Sequence, residues 1–365
     1  MDSGIMQDFL KGKTILVTGA TGFLAKVFIE KILRIQPEVQ KMYLLLRASN
    51  IELAEERLQN EEHTVFKIDL FRVLRERWGE NFSSFISKKV VTIAGDVAKE
   101  NLGIKDEKLK NEIFEEIDFL VHFAASTKFN ERYDILMDVN TKGALHALNI
   151  AKNCKRLKAF VHISTAYVCG DATDGHGILR EKPFEMGQSL KEDSKLDIHK
   201  EIDLLERKLA ELQAVNVGEY SINLDENATK FAMKDYGMER ANLHGWPNTY
   251  TFTKAMGEML LVHHKDNIPL IIIRPTIITS TRNDPFPGWI EGLRKYRVMQ
   301  QLAKLYKPFA YFKSVFDDTN VENLRMATKD LKTENVDLDF DPTSIDWTDY
   351  MMNTHIPGVL KHHKN

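Results

Sequence analysis

A doubly wound α/β fold with a mostly parallel sheet is the fold class that this 365-residue sequence predicts. The first observation is a short β-branched run, Thr14–Thr18, that turns directly into the segment GATGFLA and then into an amphipathic stretch reaching Leu33. The second is the recurrence of short, continuous apolar runs with helix-like segments between them. Strands that are apolar throughout are buried on both faces, as in a parallel sheet covered by helices on both sides.

The remaining elements follow in order along the chain. Predicted strands after the first are residues 41–47, 89–93, 119–123, 159–164 and 269–274. Residues 185–242 interrupt the alternation, because they are charged and place apolar side chains such as Ile202 and Leu205 at helical spacing. We therefore predict a helical insertion there. After Pro275 no strand-like run of comparable strength occurs, so we predict a helical C-terminal extension.

Composition narrows the class of protein. With 43% hydrophobic and 28% charged residues, the chain is typical of a globular protein and unlike a disordered or fibrous one. Its net charge of −3 gives no overall attraction for nucleic acid, and two cysteines exclude a disulfide scaffold and favour a reducing compartment. The N-terminal residues do not resemble a signal peptide, and no apolar run approaches the length of a membrane span. We expect a protein on the cytosolic face.

The segment after the first strand has the spacing of a nucleotide-binding turn. Gly19, Gly22 and Ala25 form G-x-x-G-x-x-A between a strand and a helix. Small residues let the backbone approach a pyrophosphate, and the helix N-terminus favours its negative charge. We predict a dinucleotide site in a Rossmann-type domain, with a purely structural turn as the alternative. The predicted cofactor-binding residues are Thr18, Gly19, Thr21, Gly22, Phe23, Leu24, Arg47, Asp96, Ala124, Tyr250, Lys254 and Pro275.

Arg47 indicates which nicotinamide cofactor is bound. It ends the second predicted strand, where NAD-preferring sites usually carry Asp or Glu to bind the ribose 2′-hydroxyl. An arginine suits a 2′-phosphate instead, so we predict NADPH, with a solvated arginine as the alternative reading. Asp96 and Ala124 follow later strands, where a nucleotide can also be contacted.

A tyrosine, a lysine and a threonine form the predicted catalytic group. Tyr250 and Lys254 are four residues apart and share one face of a helix. A neighbouring ammonium group brings the tyrosine pKa, about 10 in water, toward working pH, so that Tyr250 can protonate a carbonyl oxygen as hydride arrives. Thr165, at a predicted strand end, supplies a hydroxyl to hold that oxygen, and Ser164 is the neighbouring alternative. Tyr-x-x-x-Lys alone is common, but the combination predicts a short-chain dehydrogenase/reductase site.

Several segments over nearly the whole chain resemble one family. They are KTILVTGATGFLAK, KMYLLLRA, FNERYDI, HISTAYV, HGWPNTYTFTKAMGE, IIIRPTIITST, DPFPGWIEGL and FDPTSIDWTDYMMNTHIPG. The sequence is similar to the plant alcohol-forming fatty acyl-CoA reductases. This resemblance implies an extended-type reductase in lipid biosynthesis that converts a long-chain acyl-CoA to a fatty alcohol with two NADPH, through an aldehyde. The family's tyrosine acid, lysine and strand-end hydroxyl map onto Tyr250, Lys254 and Thr165.

The chain departs from that family in one place. Family members carry a long segment between a WIEGL-type motif and a C-terminal helix, whereas here Arg294 is followed directly by Lys295. The missing part would contribute to the far edge of the sheet and to the acyl pocket. We predict an NAD(P)-binding reductase domain in residues 1–288, with the insertion at about 185–242, and a shortened helical region in residues 289–365. The alternative function is an NADPH-binding pseudoenzyme without an acyl pocket.

Further expectations concern partners and other sites. Residues 289–313 combine an apolar helical face with a local excess of basic residues, which predicts peripheral membrane contact, at the endoplasmic reticulum; a helix packed on the core is the alternative. A reductase or epimerase for a small substrate is disfavoured by the long stretch between Thr165 and Tyr250. No metal site is predicted, and Cys169 is assigned a packing role because no histidine neighbours it.

Overall fold

The computed structural model of the chain describes residues 9–60, 65–129, 131–170, 177–215, 226–291, 314–328 and 340–362. Its strands are β1 (Thr14–Thr18), β2 (Lys41–Arg47), β3 (Val90–Gly95), β4 (Phe119–His122), β5 (Ala159–Ile163), β6 (Ile178–Leu179), β7 (Leu270–Ile273) and β8 (Val315–Phe316). Its helices are α1 (Phe23–Ile35), α2 (Ile51–Asn60), α3 (Arg72–Trp78), α4 (Phe82–Lys89), α5 (Glu107–Glu116), α6 (Tyr133–Leu136), α7 (Gly143–Asn153), α8 (Ile198–Val215), α9 (Glu226–Leu243), α10 (Thr249–His264), α11 (Thr319–Thr328), α12 (Trp347–Asp349) and α13 (Ile356–His362).

The main sheet has the strand order β3-β2-β1-β4-β5-β7, and every neighbouring pair is parallel. The chain runs outward from β1 to β3 and then returns to β4 on the other side of β1. This reversal places the topological switch point between β1 and β4, where doubly wound sheets bind ligands at the carboxyl ends of their strands. The predicted doubly wound fold is confirmed, and the predicted ends of these strands are off by no more than two residues.

Both faces of the sheet are covered by helices. On one face Ile15 and Val17 of β1 share a core with Ile29 and Leu33 of α1. On the other face Leu16 belongs to a core that includes side chains of α5, α7 and α10. Burial on both faces explains why inner strands such as β1 are apolar throughout, since neither set of their alternating side chains meets water.

Helix α1 follows directly from its sequence. Ala25, Ile29 and Leu33 recur at four-residue spacing, so they lie on one face, and all three are buried against the sheet. Burying the two larger side chains stabilises the fold by roughly 1.5–3 kcal/mol each relative to leaving them in water. The helix therefore has a fixed position, and its N-terminus is held at the carboxyl edge of the sheet.

The predicted insertion contains α8 and α9. Glu201 of α8 is buried and accepts hydrogen bonds from Arg240 and from the Tyr133 hydroxyl, and its other oxygen contacts His244. Burial by itself raises the pKa of the Glu201 carboxyl, but the hydrogen bonds from His244 and Arg240 outweigh it and lower the pKa to about 2. This charged cluster joins the two helices of the insertion to α6.

The C-terminal region is helical, as predicted, and packs on the segment after β7. The Tyr350 hydroxyl bonds to the backbone oxygen of Ser280 at 2.8 Å, and Gly358 lies against the backbone of Gly288 so closely that no side chain would fit. The sequence predicts neither β6 nor β8, which pair in a separate two-stranded sheet. Strands of two residues are too short to carry a periodic pattern.

None of the helices within the described ranges combines the length and apolarity needed to cross a bilayer.

Candidate active site

In the glycine turn, the backbone atoms of Gly19 and Gly22 lie at the switch point without side chains. Gly19 has φ +69°, in the left-handed region, and a Cβ atom there would lie 2.7 Å from the backbone nitrogen and Cα of Ala124. Gly22 precedes α1 and offers no side chain to cap it, so the first-turn amides of α1 are left for another acceptor. A close backbone approach beside a helix N-terminus is the arrangement that accommodates a pyrophosphate.

Thr18 joins the two strands at the switch point. Its hydroxyl accepts the backbone N–H of Ala124 at 3.2 Å and bonds to His122 Nδ1 at 2.8 Å. The structure thus brings three predicted cofactor residues, Thr18, Gly19 and Ala124, to one place. Thr21, Phe23 and Leu24 lie in the same turn and in the first residues of α1.

A cavity of about 420 Å³ lies at the ends of β2 and β3. Asp96 is among its lining residues, and one carboxylate oxygen of Asp96 accepts the backbone N–H of Ala98 at 3.1 Å. Arg47 is exposed, is paired in register with Gly95, and accepts a hydrogen bond from Arg57 on its carbonyl oxygen. The lining also includes three lysines that the sequence interpretation did not select: Lys99, Lys105 and Lys110. Only the fold brings them to this edge.

Helix α10 carries the predicted tyrosine and lysine into the interior. It begins after Asn248, whose side chain accepts the backbone N–H of Thr251 at 2.9 Å. Tyr250 is 8% exposed and Lys254 is 1% exposed, so the pair does not lie on the surface. The ring of Tyr250 packs against Phe129, with 5.2 Å between the ring centroids.

Lys254 is held by β5. Its Nζ donates to the carbonyl oxygen of Ile163 at 2.7 Å and lies 3.3 Å from His162 Nε2. Burial lowers the pKa of the lysine to about 8, and the nearby Glu258 carboxylate opposes the shift only in part. A lysine with such a pKa is charged at neutral pH and loses its charge within the range that an enzyme can experience.

Thr165 follows the end of β5 and is 5% exposed. Its Oγ1 accepts the backbone N–H of Tyr167 at 3.4 Å and caps the short helical turn Ala166–Cys169. The backbone N–H of Ala166 donates to the carbonyl oxygen of Pro275 at 2.9 Å, which brings Pro275 beside Thr165. Ser164, the alternative hydroxyl, is also buried, and its Oγ has no hydrogen-bond partner among the described residues.

Asn140 is a contributor that the sequence interpretation missed. It lies in the π-helical turn Met137–Lys142 between α6 and α7. Its side chain accepts the backbone N–H of Ser126 at 2.9 Å and donates to Thr253 Oγ1 at 3.2 Å. Asn140 therefore fixes the loop after β4 against α10, one residue from Lys254. π-helical turns often mark functional sites, but no local sequence pattern predicts this one.

Cys169 shows the properties of a packing residue. It is half-buried, and burial raises the pKa of its thiol, while Arg274 opposes this shift. The thiolate is the nucleophilic form, so its population is reduced here. Among the residues with described positions, no group of three potential ligands could hold a metal ion.

Comparison with known proteins adds the family to this geometry. Residues 17–322 match the family model described as male sterility protein, an NAD-binding domain. Fatty acyl-CoA reductase 8 of Arabidopsis thaliana is 38% identical over 498 aligned positions, which cover 97% of this chain and 98% of that protein. The chain belongs to the fatty acyl-CoA reductase family. It is therefore an oxidoreductase with a nicotinamide cofactor site.

Two further relatives support this membership. The alcohol-forming fatty acyl-CoA reductase of Simmondsia chinensis is 37% identical, covering 99% of each chain. Probable fatty acyl-CoA reductase 5 of Arabidopsis thaliana is 54% identical over 288 residues, which cover 78% of this chain and 55% of that protein.

This member of the reductase family is shorter than its relatives. The alignment with reductase 8 has 498 positions and the chain has 365 residues, so at least 133 aligned positions have no residue here. Because that alignment covers nearly all of both proteins, the difference is internal. Its location after residue 294 stays a prediction, as does the division into residues 1–288 and 289–365.

Proposed function

We propose that this reductase converts a long-chain fatty acyl-CoA to the fatty alcohol, with NADPH as the reductant and an aldehyde between the two steps. The observation that carries the proposal is the burial of Tyr250 and Lys254 on α10, with Lys254 bonded to the strand that leads into Thr165. The names of the relatives, which include an alcohol-forming fatty acyl-CoA reductase, give the substrate and product classes.

The proposed reaction balances as acyl-CoA, two NADPH and two protons giving the alcohol, free CoA thiol and two NADP⁺. The bound cofactor supplies one hydride in each step. In the first step the carbonyl carbon gains hydride and its bond to sulfur breaks. The sulfur leaves with the bonding electrons and takes up one of the two protons as the free CoA thiol, and the aldehyde remains. In the second step the aldehyde carbon gains hydride and its oxygen gains a proton.

Each of the three side chains has a role in these steps. In the second step Tyr250 donates its phenolic proton to the aldehyde oxygen, and the Lys254 ammonium stabilises the phenolate that remains. The Thr165 hydroxyl donates a hydrogen bond to the same oxygen and stabilises its developing charge. Burial strengthens both electrostatic interactions, because little water is present to screen them.

The preference for NADPH is supported by cationic side chains at the ends of β2 and β3, which lie there among the carboxylates of Asp96, Glu100 and Glu107. Arg47 ends β2, and Lys99, Lys105 and Lys110 line the neighbouring cavity. Cations at this edge attract a 2′-phosphate. The pyrophosphate is assigned to the cradle of Gly19 and Gly22, and a side chain at Gly19 would collide with the backbone of Ala124.

A second candidate function, a scaffold that binds NADPH without turnover, is favoured by the outer strand of the sheet. Ile271 and Ile273 of β7 are 48% and 47% exposed, and Ile277 and Ile278 are exposed beyond them. Apolar side chains at such exposure mark a surface that is usually covered. The internal shortening gives a reason for the exposure, since the absent segment is the one expected to build the far edge and the acyl pocket.

We further propose that the reductase is peripheral at the cytosolic surface of the endoplasmic reticulum, through the basic segment within residues 289–313. Trp289 is buried and stacks on Phe23, so Trp289 itself does not face a membrane. Residues 292–313 lie outside the described residues. Vesicles containing anionic lipid should retain the protein at low salt and release it at high salt, and Lys304→Glu with Lys307→Glu should weaken retention. Equal recovery in the soluble fraction at both salt concentrations would contradict this contact.

The experiment that tests the main proposal is product identification. Purified protein is incubated with acyl-CoAs of several chain lengths and either NADPH or NADH, and the lipid products are separated and identified. Fatty alcohol formed with NADPH supports the enzyme. NADPH binding without aldehyde or alcohol at any chain length supports the scaffold.

A further inference from the structure

A row of buried polar side chains crosses the carboxyl ends of three strands, and the proposed reaction does not use it. Thr18, His122 and His162 are paired in register across β1, β4 and β5. All three are at most 1% exposed, and the two imidazole rings stack with 5.3 Å between their centroids. Lys254 lies at the end of this row, against His162.

The contacts define which nitrogen of His162 carries the proton. An ammonium group has only donors, so His162 Nε2 must accept from Lys254, which leaves the proton on Nδ1. Burial and the Lys254 charge both lower the pKa of His162 well below its ordinary value, so the ring is neutral. His122 is neutral too, because burial, with a smaller effect of Lys254, lowers its pKa to about 3.

Both rings are incompletely paired. His162 Nδ1 and His122 Nε2 are buried and have no hydrogen-bond partner among the described residues. A buried polar atom without a partner destabilises the fold, so two neighbouring histidines in this state call for a functional reason. The contact between His162 and Lys254 supplies one.

Within the part of the chain that the structure describes, the carboxylate whose charge acts on Lys254 is Glu258, and it is already paired. Glu258, one turn along α10, is paired with Arg274 of the segment after β7, at 3.0 Å. Tyr250 lies one turn before the lysine on the same helix, and the neutral His162 lies against it. The charge is therefore solvated by neutral acceptors: the carbonyl oxygen of Ile163 and the Nε2 of His162. Two of three ammonium protons are used, which leaves one for the site.

We propose that His162 is a positioning residue for Lys254. Its neutral imidazole accepts a hydrogen bond that keeps the lysine charged and directed toward Tyr250. His122, which is bonded to Thr18, packs against the imidazole ring of His162. The catalytic consequence rests on the proposed function. The effect on Lys254 itself does not, and it can be measured without substrate or cofactor.

The first test is a titration of Lys254 by NMR in the full-length protein, with lysine labelled at the ε carbon and the resonance assigned by its loss in Lys254→Met. His162→Leu removes the acceptor and should lower the lysine pKa by about one to two pH units, the size expected for a hydrogen bond to a charged group. His162→Gln places an amide oxygen near the Nε2 position and should retain the wild-type pKa. His162→Asn reaches only the Nδ1 position and should behave like His162→Leu.

The same set of variants keeps the test decisive if one of them does not fold. If His162→Leu does not fold, the comparison of His162→Gln with His162→Asn decides, because the two side chains share one functional group and differ in reach. Nitrogen-15 spectra of labelled histidine should report His162 with its proton on Nδ1. Equal Lys254 pKa values in the wild type, His162→Gln and His162→Asn would overturn the proposal, and so would a His162 ring protonated on Nε2.

Kinetics then separate this proposal from the proposed function. With acyl-CoA and NADPH, the alkaline limb of kcat/KM should move to lower pH in His162→Asn and stay in place in His162→Gln. A wild-type protein without turnover would contradict the proposed function and leave the titration result standing. An unchanged limb in all variants, with turnover present, would contradict the positioning role.

Discussion

The Nζ of Lys254 donates a hydrogen bond to the carbonyl oxygen of Ile163 at 2.7 Å, and this contact connects α10 to the last residue of β5. Thr165 is two residues further along the chain, and Tyr250 is one helical turn before Lys254. This hydrogen bond therefore contributes to the separation between the proposed proton donor and the hydroxyl that holds the substrate oxygen. The site depends on how α10 docks on the sheet.

Turnover should decline as the pH rises through about 8, because burial lowers the pKa of Lys254 to about 8 and only its charged form stabilises the Tyr250 phenolate. The sign follows from the charge: the ammonium is present below this pKa and is lost above it. The measurement is kcat/KM for NADPH-dependent acyl-CoA reduction from neutral to alkaline pH. Constant kcat/KM well above that pKa would rule out an essential role for the Lys254 ammonium.

Arg47→Glu should reverse or abolish the preference for NADPH. Losing a hydrogen bond to the charged 2′-phosphate costs about 1.5–3 kcal/mol, which corresponds to a loss of about tenfold to a hundredfold in NADPH affinity. Fluorescence titration with NADPH and NADH provides both affinities. Arg207→Glu, an exposed change of the same charge on α8, is the control and should alter neither. Unchanged selectivity in Arg47→Glu would remove Arg47 from the site.

Gly19→Ala should abolish NADPH binding and destabilise the fold. The substitution strains a backbone with φ +69°, and its Cβ would lie 2.7 Å from the backbone of Ala124. Gly12→Ala is a matched control, since Gly12 has φ +64° but no atom within 4 Å of the added Cβ. The control should cost about 1–3 kcal/mol of strain and leave cofactor affinity unchanged. NADPH titration and urea unfolding of both variants distinguish strain from steric clash. Wild-type NADPH affinity in Gly19→Ala would contradict the assignment of the pyrophosphate to the turn at Gly19.

Glu201→Ala should destabilise the protein by about 3–5 kcal/mol, because it leaves the Arg240 guanidinium half-buried without its partner. The pKa of Glu201 is lowered to about 2 in the folded chain, so its contribution is present above about pH 4.5 and is lost as the pH falls toward 2. Glu211→Ala removes an exposed partner of Lys208 and should cost less than about 1 kcal/mol. The check is urea unfolding of both variants at neutral and acidic pH; equal stabilities would contradict the buried cluster.

The sequence was sufficient for the features that depend on local chemistry. The inner strands of the main sheet can be predicted because burial on both faces makes them continuously apolar. The outer strand β7 is apolar as well, although Ile271 and Ile273 are exposed. The glycine turn can be recognised because Gly19 and Gly22 follow a buried strand. The tyrosine and lysine of α10 are selected by their four-residue spacing together with the glycine turn and the strand-end hydroxyl of Thr165. All of these signals lie within a few neighbouring residues.

Contacts between distant segments were beyond the reach of the sequence. Asn140 bonds to Thr253 and Ser126, and His162 contacts Lys254 over 92 residues of chain. Neither residue has a neighbour in sequence that indicates its partner. The three lysines at the β3 end, and the pairing of β6 with β8, likewise depend on how separate elements meet in space.

The proposed function is tested most directly by following the hydrogen that NADPH donates. The protein is incubated with a long-chain acyl-CoA and NADPH carrying two deuterium atoms at C4 of the nicotinamide, and the lipid products are analysed by mass spectrometry. Tyr250→Phe serves as the site variant, and it should bind NADPH as the wild type does while forming product at least about a hundredfold more slowly. We predict a fatty alcohol with two deuterium atoms at C1 from the wild type; an alcohol without deuterium, or no reduced product while NADPH binds, would contradict the account.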